Sequence, residues 1–167
     1  MIYEVYCDGS TRSNGKENAV GGWAYVVLQD GKQIHSQSGA TKNSTNQRME
    51  LTAAIMALHY LFQNEICQPF DSVKVFTDSA YLHNCFSQQW YKSWQMNGWK
   101  NSKKQPVANQ DLWEELIEYF DQPEVEFVKV KGHADNSLNN LVDGMAQNAS
   151  ALCKKEKENG SDCNTGI

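Results

Sequence analysis

The chain has no apolar run approaching the roughly 18 residues that a membrane-spanning helix needs, and its N-terminus lacks the basic-then-apolar layout of a secretory signal. Both absences point to a soluble protein of the cytoplasm. The five cysteines, Cys7, Cys67, Cys85, Cys153 and Cys163, are odd in number and form no Cys-x-x-Cys pair. That argues against a disulfide framework and leaves them as reduced thiols, with Cys7, Cys67 and Cys85 as buried filler. Positive charge is also short. A formal net charge of −5 excludes broad, non-specific attraction to nucleic acid, so any such partner requires a local basic patch. One stretch lacks acids altogether: residues 88–109 hold Lys92, Lys100, Lys103 and Lys104, interleaved with Trp90, Tyr91, Trp94 and Trp99.

What is present suits one globular domain: 167 residues, 40% hydrophobic and 21% charged. Val73-Lys74-Val75-Phe76-Thr77 reads as a buried strand that stops at Asp78-Ser79, a pair able to start a helix. Ile2 to Cys7 alternates as a strand and runs into Asp8-Gly9-Ser10. If these two strands lie side by side and parallel, a spacing of roughly 5 Å brings both carboxylates within reach of one cation. The run from Asp8 to Gly15 superficially suits a calcium loop, but Arg12 takes a position that needs an oxygen ligand and the closing Glu is missing.

Trp23 to Gln29 and Lys32 to Ser38 flank Asp30-Gly31, a strong hairpin signal, so the first three strands form an antiparallel meander. Ser44 and Gln47 fit a capping box, followed by a helix whose stripe is Leu51, Ile55, Leu58 and Phe62. Glu50 stands on the line of Ala54, Ala57 and Leu61, a small apolar flank where a carboxylate needs a partner. Ala80 to Phe86 makes a short helix. A second amphipathic helix carries Leu112, Trp113, Leu116, Ile117 and Phe120 inward and ends at Pro123. Val125 to Gly132 is the fifth strand, leading into a polar loop with His133. The last helix has the stripe Leu138, Leu141, Val142, Met145, Ala149 and Leu152, with Asp143 beside it and Gly144 placed to let a neighbour approach. Residues 154–167 form a charged, then Gly/Ser/Asn-bearing tail that frays.

Each acid alone reads equally as a helix cap or a surface group, and a loop histidine is more often solvated than catalytic. Four acids gathered at one edge of the sheet, Asp8, Glu50, Asp78 and Asp143, are a different matter. Converging carboxylates cannot all ionise unless positive charge joins them. An oxygen-only set suits Mg²⁺, or Mn²⁺ in its place, rather than zinc. Two such ions about 4 Å apart support in-line phosphoryl displacement, here giving 3′-hydroxyl and 5′-phosphate ends.

Four segments together carry a family resemblance: Tyr6-Cys7-Asp8-Gly9-Ser10, Thr45-Asn46-Gln47-Arg48-Met49-Glu50-Leu51, Phe76-Thr77-Asp78-Ser79, and Val130-Lys131-Gly132-His133-Ala134 with Asp143 ten residues after the histidine. In order and spacing they resemble type 1 ribonuclease H over about Ile2 to Leu152. The resemblance implies an α/β fold, a mixed five-stranded sheet flanked by helices, with residues 88–109 as a basic helical protrusion on a catalytic domain of residues 1–153. It implies cleavage of the RNA strand of RNA–DNA hybrids by a monomer, with little sequence dependence and no membrane or protein partner. Asp8, Glu50, Asp78 and Asp143 match metal ligands. His133 matches a residue that moves protons or assists product release. Asn14, Asn46 and Gln47 match positions that read the 2′-hydroxyl, Thr45 one that holds a DNA-strand phosphate, and Trp90 one on the DNA track, with Lys92, Lys100, Lys103 and Lys104 supplying charge. Ala80 stands where relatives have Gln, and Gln95-Met96-Asn97 replaces a denser basic cluster, so weaker and more salt-sensitive hybrid binding is expected. Three readings compete with this one: a catalytically silent module for structured RNA; a related resolvase-, transposase- or exonuclease-type enzyme cutting DNA duplexes or junctions on the same fold; and a non-enzymatic cation-binding protein, which leaves the Asn/Thr groups and the aromatic lobe unexplained.

Overall fold

A computed structural model of the chain describes residues 1–12, 19–131 and 137–158. Its elements run β1 (Ile2–Arg12), β2 (Val20–Gln29), β3 (Lys32–Lys42), α1 (Asn46–Gln63), β4 (Ser72–Thr77), α2 (Ala80–Ser87), α3 (Trp90–Asn97), α4 (Gln110–Phe120), β5 (Val125–Lys129) and α5 (Ser137–Glu158). They form one five-stranded sheet in the order β3-β2-β1-β4-β5. β1, β2 and β3 pair antiparallel, joined by the Asp30-Gly31 turn with both residues at positive φ (49° and 84°). β1, β4 and β5 pair parallel. The meander and the parallel half thus stand as the residue pattern predicts.

Both faces of the sheet are covered. Tyr3, Val5, Cys7, Trp23, Tyr25, Val27, Val73 and Val75 share one core with α1, α2 and α4. The alternate residues Tyr6, Ala24, Val26 and Leu28 meet Val142 and Ala146 of α5 on the other face. A strand buried on two sides needs apolar residues at both parities, which is why β2 reads Trp-Ala-Tyr-Val-Val-Leu with hardly a polar interruption.

Several local expectations are corrected. β1 does not stop at Cys7: it continues to Arg12 because β2 pairs with it throughout, Asp8 opposite Ala24. Its parallel pairing with β4, however, reaches only Tyr6 opposite Phe76, so Asp8 still lies just beyond the parallel step. The N-cap of α1 is Thr45, whose hydroxyl accepts the Arg48 N–H at 3.2 Å, while Ser44 is buried behind it. On α5 the inward face is Val142, Ala146, Ser150 and Cys153, whereas Leu141 and Leu152 are exposed. Cys7, Cys67 and Cys85 are buried free thiols, but Cys153 is disulfide-bonded. Gly144 has open space where a side chain would stand. Close approach to α5 occurs instead at Gly22, where a Cβ would sit 1.9 Å from the Ala146 carbonyl oxygen. Among the described residues no helix is long and apolar enough to cross a membrane.

Candidate active site

Two glycines decide where the acids meet. Gly9 faces the first turn of α1, and a Cβ there would lie 2.3 Å from the Glu50 nitrogen and the Met49 carbonyl carbon. Without a side chain at Gly9, the start of α1 lies directly on β1 and Glu50 comes beside Asp8. Gly22 does the same on the opposite face, seating α5 on β2 so that Asp143, one helical turn before Ala146, also reaches Asp8. β4 supplies the remaining acid: its last residue is Thr77, and Asp78 follows where the chain turns into α2. The carboxylates of Asp8, Glu50 and Asp78 consequently offer oxygens that all lie within 4.8 Å of one another.

The electrostatics are those of acids forced together. Asp8 is 5% exposed. Burial first, then the charge of Asp78 and the hydrogen-bonded Asp143, push its carboxyl up to about 9, against the pull of the Gly9 N–H at 2.9 Å. Burial likewise raises Glu50 to about 7, opposed by a hydrogen bond from Ser79 and assisted by Asp78. The field reaches the Cys7 thiol, which burial and then Asp8, Glu50 and Asp78 push well above its ordinary value. Asp143 accepts a bond from Gln147 Nε2 at 3.1 Å. A divalent cation relieves this repulsion, and the set fits one: carboxylate oxygens only, from β1, α1 and the turn after β4, with no sulfur or imidazole in the three-acid cluster.

The expected substrate residues within the described part of the chain fall on two segments, the start of α1 and the lobe around α3. Thr45, Asn46 and Gln47 are exposed at the start of α1. Asn46 Oδ1 also accepts the Thr11 N–H at 2.8 Å, tying the end of β1 to α1. Trp90, half-buried, bonds Gln88 Oε1 through its indole nitrogen at 3.0 Å. With Ser93, Trp94, Asn97, Lys100, Asn101 and Ser102 it lines a groove of about 390 Å³. Lys92, Lys103 and Lys104 are exposed nearby in the chain but do not line the groove. Asn14 and His133 lie outside the described residues.

Sequence reasoning missed a network that joins these parts. The Arg48 guanidinium makes two bonds to Asp111, at 3.0 and 2.8 Å, and one to Asn109 Oδ1 at 3.3 Å. Asn109 and Trp113 in turn donate to the Tyr81 hydroxyl at 3.4 and 3.0 Å, and the Trp113 ring lies 5.7 Å from that of Trp94. The first turns of α1 and α4, the start of α2 and the aromatic lobe are thus linked. The only signal in the sequence was Arg48 beside the Thr-Asn-Gln run, which a single chain does not connect to Asp111, 63 residues away.

Comparison with known proteins agrees with this geometry. The RNase H family model matches residues 2–151. The Ribonuclease H of Moorella thermoacetica is 44% identical over 153 residues, covering 92% of this chain and 94% of the relative. That of Symbiobacterium thermophilum is 46% identical over 147 residues, covering 88% and 93%. Among solved structures, LC9-RNase H1, a type 1 RNase H with the type 2 active-site motif, superposes with a TM-score of 0.71 at 26% identity, over 90% of this chain and 72% of that one. LC11-RNase H1 in complex with an RNA/DNA hybrid shares the fold, with a TM-score of 0.62 at 19% identity over 90% and 97% of the two chains. From the match along nearly its whole length and the acids that its fold assembles, the chain belongs to the ribonuclease H family of nucleases.

Proposed function

We propose that this protein hydrolyses the RNA strand of RNA–DNA hybrids, using divalent cations held by Asp8, Glu50, Asp78 and Asp143. The observation that carries the reading is the convergence of three carboxylates from separate segments to within 4.8 Å, with Asp143 among the acids that push the Asp8 carboxyl up. Mg²⁺ ions, when bound, supply Lewis-acid stabilisation to the attacking and leaving oxygens of an in-line phosphoryl displacement, which leaves 3′-hydroxyl and 5′-phosphate ends. Asp8 and Asp78 would contribute to holding both ions, and Glu50 and Asp143 would each help hold one. Mn²⁺ meets the same oxygen donors.

The rest of the chain binds and orients. The Thr45 hydroxyl, whose oxygen accepts from Arg48, keeps its own proton for a DNA-strand phosphate, aided by the positive end of the α1 dipole. Asn14, Asn46 and Gln47 offer short donors and acceptors to 2′-hydroxyls across the minor groove. The Trp90 groove seats DNA sugars, and Lys92, Lys100, Lys103 and Lys104 neutralise phosphates along it. These contacts read backbone and shape, so cutting depends little on sequence. His133 moves a proton or assists product release. A hybrid-bound relative, LC11-RNase H1, supports the choice of substrate. The same reading takes residues 1–153 as one catalytic unit with 154–167 as a tail, acting as a monomer in the cytoplasm.

The test is a hybrid labelled on each strand in turn, incubated with purified protein and millimolar Mg²⁺ beside RNA–RNA and DNA–DNA duplexes. The RNA strand alone is cut, with the stated ends, and Asp78→Asn is inert. Cutting of DNA duplexes, or no metal-dependent cutting, overturns the proposal.

A further inference from the structure

Between α3 and α4 the chain carries Lys100, Lys103 and Lys104 through a stretch that no helix or strand supports. Residues 98–106 hold one isolated bridge, Lys100 opposite Pro106, and three backbones in the left-handed region, Gly98, Trp99 and Lys104, at φ 77°, 63° and 60°. A lysine there is strained, so something must hold the turn. Asn101 does so. Its backbone N–H donates to the Gln105 carbonyl at 2.8 Å, and its own carbonyl accepts the Lys104 N–H at 2.9 Å. Its side-chain Oδ1 accepts two more bonds, from the Lys103 N–H at 2.9 Å and the Gln105 N–H at 3.0 Å. The first of these is the Asx turn that asparagine makes with the residue two ahead. One residue thus closes the turn from 101 to 105, and it lines the Trp90 groove beside Lys100 and Ser102.

We infer that Asn101 is a positioning residue for nucleic-acid binding: it fixes, before any strand arrives, where Lys103 and Lys104 leave the backbone relative to the groove that Lys100 lines. The need is set by charge. The chain has a formal net charge of −5, and this turn gathers three lysines in five positions with no acid among residues 88–109. Like charges favour an open, spread loop, and a small set of cations grips a phosphate backbone well only when little freedom is lost in ordering it. The two side-chain bonds of Asn101 are exposed to water, so their effect is local order in the turn and not stability of the whole chain. This inference rests on the proposed binding of hybrid along the lobe, and the experiment below separates the two.

Asn101→Ala removes the acceptor of both amides, and Asn101→Ser restores a weaker one to the residue two ahead. Two measurements are made on the full chain. The heteronuclear NOE of the Lys103, Lys104 and Gln105 amides reports order in the free protein, and KM and kcat for an RNA–DNA hybrid at saturating Mg²⁺ report its consequence for binding. In the Ala variant the NOE values are expected to fall to those of a mobile loop, and KM to rise about 5- to 10-fold with kcat within about twofold, the pattern of lost uniform binding. The Ser variant falls between Ala and the unaltered chain in both, and both variants melt as the unaltered chain does. If the turn loosens while KM stays, its order does not serve binding, and the inference fails. If KM rises while the NOE values hold, Asn101 touches the hybrid directly and positions nothing, which also overturns it. If the unaltered chain neither binds nor cuts hybrid, the proposed function falls, and this inference with it.

Discussion

Replacing Asp8 with Asn separates what the site does for chemistry from what it costs the fold. A carboxyl that ordinarily titrates near 3.8 and here titrates at about 9 must take up its proton on folding at neutral pH. At pH 7 that uptake costs up to about 4 kcal/mol, and relaxation of the neighbouring acids lowers the realised figure to about 2 kcal/mol. Asn has the same shape, retains an oxygen to accept the Gly9 N–H, and brings an amide that can donate to Asp143 or Asp78. The metal-free Asp8→Asn protein is therefore more stable by about 2–4 kcal/mol at pH 7, a rise in Tm of roughly 5–15 °C for a chain of this size. The sign of the pH dependence follows from the raised value. Below about pH 4 the carboxyl is protonated in both the folded and unfolded states and the two proteins melt alike. Above it the original protein loses stability steadily until the pH passes about 9, so the gap widens across that window. Urea or thermal melts in EDTA at pH 4, 7 and 8.5 measure it. Saturating Mg²⁺ narrows the gap by stabilising only the protein with the full acid set, which is also the only one that cleaves. A variant less stable than its parent in EDTA, or a gap that does not change between pH 4 and 8.5, would refute the reasoning.

Other consequences are as specific. Gly22→Ala drives a methyl into the Ala146 carbonyl and displaces α5, costing about 2–4 kcal/mol in denaturant unfolding. Gly144→Ala, in open space within the same helix, gains about 0.5–1 kcal/mol by the same assay. Arg48→Met breaks both bonds to Asp111 but costs only about 1 kcal/mol, because Asp111 is well exposed; its larger effect is a raised KM for hybrid as α1 and α4 loosen. Neutralising Lys100, Lys103 and Lys104 to Gln flattens the dependence of log KM on log salt by about 1 for each lysine that meets a phosphate, with kcat little changed.

The fold was legible because its signals are local. Asp30-Gly31 can only turn, β2 is apolar at both parities, and α4 places its large residues on one face. Two of the acids were legible because Asp8 and Asp78 each follow an apolar, strand-like run in the sequence. What escaped belongs to contacts between distant segments. Gly22 looks like an entry into a strand until α5 is laid across it, and Gly144 looks like a packing notch until the helix is seen to turn that residue to open space. The stripe of α5 was misplaced at Leu141 and Leu152 because hydrophobicity alone favoured leucine over the smaller Ala146, Ser150 and Cys153, which fit the close approach. Ser79 was legible as a helix start, and it caps α2 through the Leu82 N–H. The Arg48 network depends on Asn109 and Asp111 arriving from another helix, a pairing that no period in the chain encodes.

The central claim is that Asp8, Glu50 and Asp78 jointly hold divalent ions. Crystals soaked in Mn²⁺ and recorded near the manganese absorption edge test it directly. Anomalous density is expected among these three carboxylates and is lost in Asp78→Asn crystals soaked alike. Manganese bound elsewhere, or density at the rim that survives the loss of Asp78, would contradict it.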